Sequence, residues 1–528
     1  MSGKRVAVAL SAVAALPVVV MIFEVLRSPR LQFADYWWFV AGATHPDGRL
    51  DPAGLLLQHN GHPTFIPRLL FWAEARFLGG DNRTLGLLTV VLSLVVLVVL
   101  HRMLPKELST TSRFALTAAF SFLLFGSREL ELYGVGVTGA TWLLMAVPGV
   151  LALFHAQRGR TVPAMICVAV ACLCFGAGFA LWPVIALIAW LRRDALWQLV
   201  APLVVLVVAG GAWALTFETD SLQSPYPLGP ENYLSVVAGT LGQQWSYKYS
   251  DFAVLAGAVI AVALFSLIAL SLRQRLGERE RSPEVVRDSG WIGLGLWGVL
   301  IGVMIALTRV GSGVDVALAG RFALAPMLTT AALLVLVAVR GPGLPVLALS
   351  MAVCVATYVL GTHLATAVRN LYFDQKVLEI AMHVGADKTI AELQSTPDVV
   401  GRLKGMGSYP FTRGFSPGCG TTLGAKVGPL RELTTGAVDS GPIAGDAKIS
   451  GWAMVDGRQV DCVLVVDGAG IVQGGGAVGM PRPDLPGTIQ TRQARLGWRA
   501  VAVPGIGDAS VVVGSGGLLY RLPAVRGH

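Results

Sequence analysis

Long apolar runs alternate with short polar segments along the first 366 residues, and this alternation is the dominant pattern of the chain. A helix needs about 20 mostly apolar residues to cross a bilayer. The pattern predicts eleven membrane-spanning helices, near residues 5–26, 84–101, 114–126, 138–156, 161–176, 178–191, 195–216, 252–272, 289–308, 321–340 and 345–366. The first run is longer than the apolar core of a signal peptide, so we expect it to be retained as a span.

The run 161–191 is long enough for one helix, but "CFGAGFALWP" in its middle contains two glycines and a proline. Such a sequence is typical of a tight hairpin or a broken helix. If the run is split and the N-terminus is cytoplasmic, every predicted cytoplasmic segment carries Lys or Arg, including the five arginines of "RQRLGERERSPEVVR". A single span would place those arginines outside, against the positive-inside rule. We therefore predict a multi-pass cell-membrane protein with a cytoplasmic N-terminus and an extracytoplasmic C-terminus.

The pattern changes after residue 366. Residues 371–405 have apolar positions at helical spacing and predict two amphipathic helices. From residue 445, short β-rich runs alternate with Asp-Gly turns, which favours a small β-sandwich. The predicted domains are a transmembrane domain over 1–366 that includes a first external loop at 27–83, juxtamembrane helices and a linker over 367–444, and an extracytoplasmic β-sandwich over 445–528.

Composition supports a membrane protein. The chain is 54% hydrophobic and 14% charged, whereas soluble domains carry about a quarter charged residues. The net charge of +9 does not indicate a nucleic-acid partner, because the arginines lie in short loops and form no basic face with interleaved aromatics. The bilayer is the partner that this composition implies.

The six cysteines divide between two environments. Four of them lie within predicted spans, where cysteine is usually a small apolar filler. Cys419 and Cys462 both fall in the predicted external tail, where oxidation is permitted. We predict a disulfide between them; the alternative is a pair of buried thiols.

The stretch "LQFADYWWFVAGATHPDGRL" follows the first span directly and is unusually rich in polar and aromatic groups. An interfacial belt would account for Tyr36, Trp37 and Trp38, because such rings settle at headgroup depth. A belt needs no acid, however, and Asp35 at a membrane boundary is costly unless it is solvated, paired or functional. Asp35 is therefore a candidate site residue.

Other polar groups are predicted on the same side of the membrane. Glu131 lies in the loop after the third span, and Arg309 and Arg321 flank the loop between the ninth and tenth. Arginine suits bidentate binding of phosphate. Arg68 lies in an amphipathic segment after "QHNGHP", which is expected to form an interfacial helix.

Histidines His59 and His62 are three residues apart, a spacing that allows metal binding on a helix. Gly61 and Pro63 argue against a helix there, so we predict no protein-bound metal and only polar contacts from this loop.

Several segments together resemble a known family, the GT-C-type membrane glycosyltransferases. They are "FADYWWF", "QHNGHPTFIPRLLFWAEARFLGGDN", "RELELYGVGV", "FGAGFALWPV" and "TRVGSGVDVALAGRF". The resemblance covers roughly residues 20–330, and in similar proteins we expect a glutamate in place of Gly61 and a tyrosine in place of Phe322. The stretch "GWAMVDGRQVDCVLVVDG" resembles small β-sandwich modules of bacterial surface proteins, some of them carbohydrate-binding.

The resemblance implies transfer of a sugar from a polyprenyl-phosphate donor to an extracytoplasmic envelope glycan or lipid. It implies Asp35 as the base with Glu131 as a second catalytic carboxylate, and stacking of Tyr36, Trp37 and Trp38 on the sugar or isoprenoid. The arginines Arg309, Arg321 and Arg68 would hold the donor phosphate. No cofactor is implied with certainty, although a divalent cation could assist the arginines.

Two other functions stay open. One is a transporter or flippase of envelope precursors, although such proteins usually place ionisable groups near the bilayer midplane and contain internal repeats. The other is a non-catalytic scaffold that binds glycan, which the missing acid at Gly61 would suit.

Overall fold

The computed structural model describes residues 3–523, apart from 217–228, 278–281, 342–343, 394, 396, 413–414, 441–447 and 486–494. The chain divides into two units. The first comprises Met1–Arg27, Leu55–Leu69 and Arg83–Val368, and the second comprises Ser28–Gly54, Leu70–Asn82 and Arg369–His528.

The first unit is built from helices. Their bounds are α1 Gly3–Arg27, α3 Phe65–Ala73, α4 Asn82–Met103, α5 Thr110–Phe125, α6 Leu130–Gly134, α7 Gly136–Gln157, α8 Thr161–Cys174, α9 Leu181–Leu191, α10 Leu196–Val205, α11 Gly211–Leu215, α12 Pro230–Gly242, α13 Ser250–Gly277, α14 Pro283–Arg309, α15 Leu324–Ala338 and α16 Leu344–Leu360. Helix α2, Ala34–Ala43, belongs to the second unit, and α3 and α4 each extend across a boundary between the units.

Each of the eleven predicted spans coincides with helix in the structure. Among the residues that the structure describes, seven helical stretches are long and apolar enough to cross a membrane. The seven are Arg5–Arg27, Asn82–Met103, Gly136–Gln157, Leu196–Leu215, Ser250–Gly277, Pro283–Ser312 and Pro345–Val384. Three shorter apolar stretches, Thr161–Cys174, Gly176–Leu191 and Leu324–Ala338, accompany them. Helix content and length thus agree with a membrane protein.

The break predicted inside 161–191 is present. Helix α8 ends at Cys174, a 3-10 turn covers Gly176–Ala180, and α9 follows. The guanidinium of Arg192, just after α9, donates to the carbonyl of Gln157, and Gln198 Nε2 donates to Thr161 Oγ1 over 2.9 Å. The end of α9 therefore lies beside the start of α8, so the two helices form a hairpin.

One end of the helical unit gathers the segments that the charge pattern assigned to the cytoplasm. Arg158 donates to the carbonyl of Arg102 over 3.3 Å, and Arg193 donates to that of Arg275 over 2.9 Å. Arg340 pairs with Asp288 over 3.1 Å. These arginines belong to five of the predicted cytoplasmic segments, which therefore lie near one another at one end of the helical unit.

The second unit joins two parts of the chain that are far apart in sequence. It contains α2, the stretch 70–82 and the tail with α18 Asp387–Glu392 and α19 Pro397–Met406; helix α17, Thr362–Val384, crosses the boundary between the units. Ser408 Oγ donates to the carbonyl of Ala75 over 2.7 Å, and the backbone N–H of Tyr409 donates to Gly79 O over 2.8 Å. Most of the stretch 27–83 therefore folds with the tail, whereas the sequence assigned it to the transmembrane domain.

The strand-rich region predicted for the tail is present and begins earlier than expected. Its strands are β1 Leu430–Glu432, β2 Gly436–Ser440, β3 Ile449–Val455, β4 Arg458–Gln459, β5 Cys462–Asp467, β6 Val472–Met480, β7 Gly497–Ala502, β8 Ala509–Ser515 and β9 Leu518–Arg521. Among the described residues they form one hydrogen-bonded path, β1-β9-β8-β5-β6-β7-β3-β2, with β4 on β3.

This single path differs from the two separate sheets of the expected sandwich. Residues from β3, β5, β7 and β8 share one core around Trp498, Val463 and Val513. Strands distant along the path can share a core because the sheet curls, as twisted antiparallel sheets do, and the result is a half-barrel.

Candidate functional site

Glu131 and Arg321, two of the predicted site residues, form an ion pair. Glu131 Oε2 accepts from the backbone N–H of Arg321 over 3.1 Å, and its Oε1 lies 3.4 Å from Arg321 Nη1. The Glu131 side chain is mostly covered, whereas that of Arg321 is 48% exposed. The neighbouring Gly320 allows this approach, since a Cβ there would lie 3.0 Å from Glu131 Oε2. The pair joins α6 to the segment before α15.

Arg128, in the same loop as Glu131, holds this end of the helical unit together. It is buried, and its Nη1 donates to the carbonyl of Ser246 over 2.7 Å. Longer contacts of 3.4 Å and 3.5 Å reach Gln243 Oε1 and Leu318 O. Burial lowers the pKa of Arg128 to about 10. Arg128 thus joins three inter-helix segments, and its donors are directed at protein acceptors.

The histidine loop forms a tight turn. His59 and His62 exchange backbone hydrogen bonds of 3.0 Å and 2.9 Å, with Asn60 at φ 49° and Gly61 at φ 74°. Two consecutive positive φ angles are the requirement of a type I′ turn, for which Asn-Gly is the favoured pair. Glycine at 61 therefore has a conformational reason, and a glutamate there would be strained.

Aromatic rings connect His62 to Arg321 within the first unit. The His62 ring lies 3.9 Å from Phe175, between centroids, and Phe175 lies 4.7 Å from Trp142. Trp142 meets Phe322 at 6.3 Å, and the Arg321 guanidinium lies 5.2 Å from the Phe322 ring. Trp142 and Phe322 are buried, so the row packs inside the unit and ends at the half-exposed Arg321.

The remaining basic candidates of this unit have different environments. Burial, together with the charge of Arg309, lowers the pKa of His62 to about 3, so the imidazole is neutral near pH 7. Arg309 is the last residue of α14. Its positive charge disfavours protonation of His62 in the histidine loop. Arg68 is 3% exposed and bonds to Thr64 Oγ1 over 3.0 Å, so it contributes less accessible charge than the sequence suggested.

Helix α2 has a buried face and an exposed face. Tyr36 and Trp37 are fully buried, whereas Trp38 is 52% exposed. Asp35 is exposed in the first turn of the helix, where the helix dipole favours an acid. Of the three predicted stacking rings, Trp38 alone presents a large exposed surface, because the helix turns the other two into the core of the second unit.

Glu74 is a buried acid that the sequence analysis missed. It is 1% exposed, Tyr36 Oη donates to its Oε2 over 2.7 Å, and Gln32 Nε2 lies 3.5 Å from the same oxygen. Its Oε1 is buried and has no hydrogen-bond partner among the described residues. Burial raises the pKa of Glu74 to about 7. In sequence, "FWAEARFL" looked like the solvated face of an interfacial helix, and no local signal marked the burial.

Glu129, next to Arg128, is a second buried acid. Gln244 Nε2 donates to its Oε1 over 3.0 Å, and burial raises its pKa to about 8. Glu129 therefore belongs to the internal network of the loop rather than to its accessible surface.

Cysteine and metal predictions can be compared with the fold directly. Cys419 and Cys462 form the predicted disulfide, with Cα atoms 5.4 Å apart, and Cys167, Cys172, Cys174 and Cys354 are free. In the part of the chain that the structure describes, no three His, Cys, Asp or Glu side chains are grouped as metal ligands.

Comparison of the chain with protein-family models, with curated proteins and with solved structures finds no match.

Proposed function

We propose that this protein is a multi-pass membrane glycosyltransferase that uses a polyprenyl-phosphate sugar donor. The observation that carries the proposal is the Glu131–Arg321 pair, an acid and a half-exposed arginine held together by two inter-helix segments. Transfer from a lipid phosphate requires both kinds of group, a base for the acceptor hydroxyl and a cation for the departing phosphate.

The topology in this proposal has eleven crossings, with the N-terminus in the cytoplasm and the second unit outside. Two observations support it. The arginine-rich contacts involving Arg158, Arg193 and Arg340 gather at one end of the helical unit, as the positive-inside rule expects of a cytoplasmic end. The second unit combines residues after α1 with residues after α16, so an even number of crossings must separate them.

The α8–α9 hairpin does not change whether the number of crossings is even or odd. These helices have 14 and 11 residues, about 21 Å and 16 Å at 1.5 Å per residue, which is short of a bilayer core of about 30 Å. In the proposed topology they cross as two short spans, and Arg160 and Arg192 lie on the same side.

The resting ion pair suggests how the reaction would proceed. The donor phosphate competes with Glu131 for the Arg321 guanidinium, and this exchange costs little because the pair is partly solvated. The bond between the sugar C1 and the phosphate oxygen then breaks, and the electron pair leaves with the polyprenyl phosphate. The acceptor oxygen bonds to C1, and its proton passes to a carboxylate. Arg309 would add positive charge.

Two carboxylates are candidates for the base. Glu131 belongs to the same unit as Arg321 and is released by the exchange just described. Asp35, the base implied by the sequence, is exposed on α2 of the second unit. Asp35→Asn and Glu131→Gln each remove the basic oxygen while preserving size, so the variant that abolishes transfer identifies the base.

The test is sugar transfer in membranes that contain the full-length protein, with a panel of radiolabelled polyprenyl-phosphate sugars as donors. We expect Arg321→Gln to lower transfer by about 100-fold or more, the usual effect of removing a group that stabilises developing charge, and Arg321→Lys to restore part of it. Arg273→Gln, the same change on an exposed arginine of α13, is the matched control. Full transfer by Arg321→Gln would refute the proposal, and no transfer by the unaltered protein with any donor would favour the scaffold.

A further inference from the structure

A groove of about 420 Å³ lies within the second unit, where the ends of β2 and β6 and the beginnings of β3 and β7 come together beside α17. This volume falls within the range of about 300–1,000 Å³ that is typical of small-molecule sites. Its polar and aromatic lining includes Asn370, Phe373, Asp374, Asp439, Arg482 and Arg499. None of these residues belongs to the site proposed for sugar transfer.

Charges in the groove are paired and cancel. Arg482 Nη1 lies 2.6 Å from Asp439 Oδ2, and its Nη2 lies 2.8 Å from Asp484 Oδ2. Arg499 pairs with Asp374 of α17 in the same way. The lining itself has two aspartates and two arginines, and Asp484 and Arg495 beside it add one charge of each sign. The groove therefore has no net charge and offers an anion or a cation little electrostatic preference. It does offer planar donors and acceptors held at fixed positions, because each side chain is anchored by its partner.

Beneath the groove, the sheet is supported by the buried ring of Trp498. Trp498 is 1% exposed, and its ring fits closely because Gly451 has no side chain, since a Cβ there would lie 2.4 Å from the ring. Its indole Nε1 is buried and makes no hydrogen bond within the described part of the chain. Successive side chains of a strand point to opposite faces, so the Trp498 ring faces the core of the half-barrel, whereas Arg499 faces the groove and α17.

The wall formed by α17 adds an aromatic ring and an amide. Phe373 is partly buried, with the Arg495 guanidinium 5.6 Å from its ring centroid. Asn370, one turn earlier on the helix, is exposed and lines the groove. Ring, amide, carboxylates and guanidinium groups thus border one cavity.

We propose that this groove binds a neutral oligosaccharide. Sugar hydroxyls both donate and accept hydrogen bonds, and adjacent hydroxyls match the two oxygens of a carboxylate or the two nitrogens of a guanidinium. The C–H face of a sugar ring packs against an aromatic side chain. A phosphate or a hexuronate would meet the carboxylates of Asp374 and Asp439, and a cationic ligand would meet Arg482 and Arg499, so the paired charges select against both. Oligosaccharide binding in this groove does not depend on the proposed transfer reaction.

The test is equilibrium binding of fluorescently labelled oligosaccharides of three to six sugars to the full-length protein in nanodiscs. Neutral hexose and pentose oligomers are compared with hexuronate oligomers and with phosphorylated hexose oligomers. We expect the neutral series to bind, and Arg482→Gln to weaken it by tenfold or more. Asn370→Ala should also weaken binding, and because it replaces an exposed helical residue with a strong helix former, it should leave the fold intact.

Arg458→Gln is the matched control, because this exposed arginine of β4 pairs with the far end of β3. Absence of binding by every neutral oligomer would overturn the proposal. Stronger binding of the charged oligomers, or binding that neither Arg482→Gln nor Asn370→Ala changes, would do the same. Transfer assays on the same samples separate the two sites, because Arg321→Gln should retain oligosaccharide binding, and Asn370→Ala should retain transfer to a small acceptor.

Discussion

Glu131 accepts two hydrogen bonds from one residue, Arg321, through its backbone N–H and its guanidinium. The two residues are 190 positions apart in the chain. The buried Arg128 lies in the same loop as Glu131 and donates to the carbonyls of Ser246 and Leu318. One arginine therefore has its donors committed to the protein interior, while the other is half exposed.

This contrast predicts that the two arginines differ in their effect on stability. Arg321→Gln should change the free energy of unfolding by less than about 1 kcal/mol, because partly exposed ion pairs contribute little. Arg128→Gln should cost about 3 kcal/mol, since it leaves buried carbonyls without donors. The thermal unfolding midpoints of the two variants are measured in the same detergent, and the lower midpoint is expected for Arg128→Gln. Equal midpoints for both variants would contradict the assignment of Arg128 to the internal network.

The buried carboxyl of Glu74 predicts a dependence of stability on pH. Its pKa is raised by burial from an ordinary 4.5 to about 7, so the folded protein binds the proton more tightly than the unfolded chain. Stability from this group is complete below about pH 4.5 and is lost as the pH rises through 7, by about 3 kcal/mol in all.

Glu74→Gln, which resembles the protonated acid, should remove this dependence and raise the unfolding midpoint at pH 8 relative to the unaltered protein. Unfolding is followed between pH 5 and pH 8, and the difference between the two proteins isolates the one group. The exposed Glu432 supplies the control, Glu432→Gln. A pH profile unchanged by Glu74→Gln would show that Glu74 is ionised or solvated in the folded protein.

Gly61 should resist replacement by the glutamate expected at that position in similar proteins. Its φ of 74° follows the φ of 49° at Asn60, and a side chain in this region costs about 1–3 kcal/mol. Both Gly61→Glu and Gly61→Ala should lower the unfolding midpoint by similar amounts, because the penalty comes from the backbone. A stabilising Gly61→Glu would instead indicate that the turn changes conformation to present the acid.

Membrane sidedness can be measured with single cysteines and an impermeant thiol reagent. Arg49→Cys and Arg458→Cys, both at exposed positions of the second unit, should react in intact cells. Arg273→Cys should react after permeabilisation only, because it lies at the arginine-rich end of the helical unit. Background labelling comes from the native free cysteines, which are buried or partly buried, and it is measured on the protein without an added cysteine. Labelling of residue 273 from outside would reverse the proposed orientation.

The disulfide between Cys419 and Cys462 closes a segment of 43 residues. A loop of this length corresponds to about 4 kcal/mol of stabilisation in the chain-entropy account. The double variant Cys419→Ser, Cys462→Ser should therefore unfold at a markedly lower temperature, and mass analysis without reductant should show the two cysteine peptides joined. Alkylation of both thiols in the native protein would exclude the bond.

Sequence alone determined the features that depend on local pattern. Apolar run length located helix at all eleven predicted spans, the glycines and proline of "CFGAGFALWP" marked the turn between α8 and α9, and the position of Cys419 and Cys462 outside the apolar runs indicated their pairing. Period-two alternation with Asp-Gly turns found the strand-rich tail. The helix and strand signals lie within a few residues of the structures they specify, so no knowledge of distant contacts is needed for them. The disulfide followed instead from there being two cysteines outside the apolar runs.

Tertiary structure decided which polar groups are buried and which residues meet. Tyr36 and Trp37 are buried, whereas Trp38 is exposed. Glu74 is also buried and therefore desolvated. These residues belong to the stretches 28–54 and 70–82, which fold with the tail. Helical periodicity separates the faces of a helix, but it does not say what covers each face. Glu131 finds Arg321 only when segments 190 residues apart come together. The pairing and pKa of such groups depend on desolvation and on neighbouring charge, and both arise from packing between distant parts of the chain.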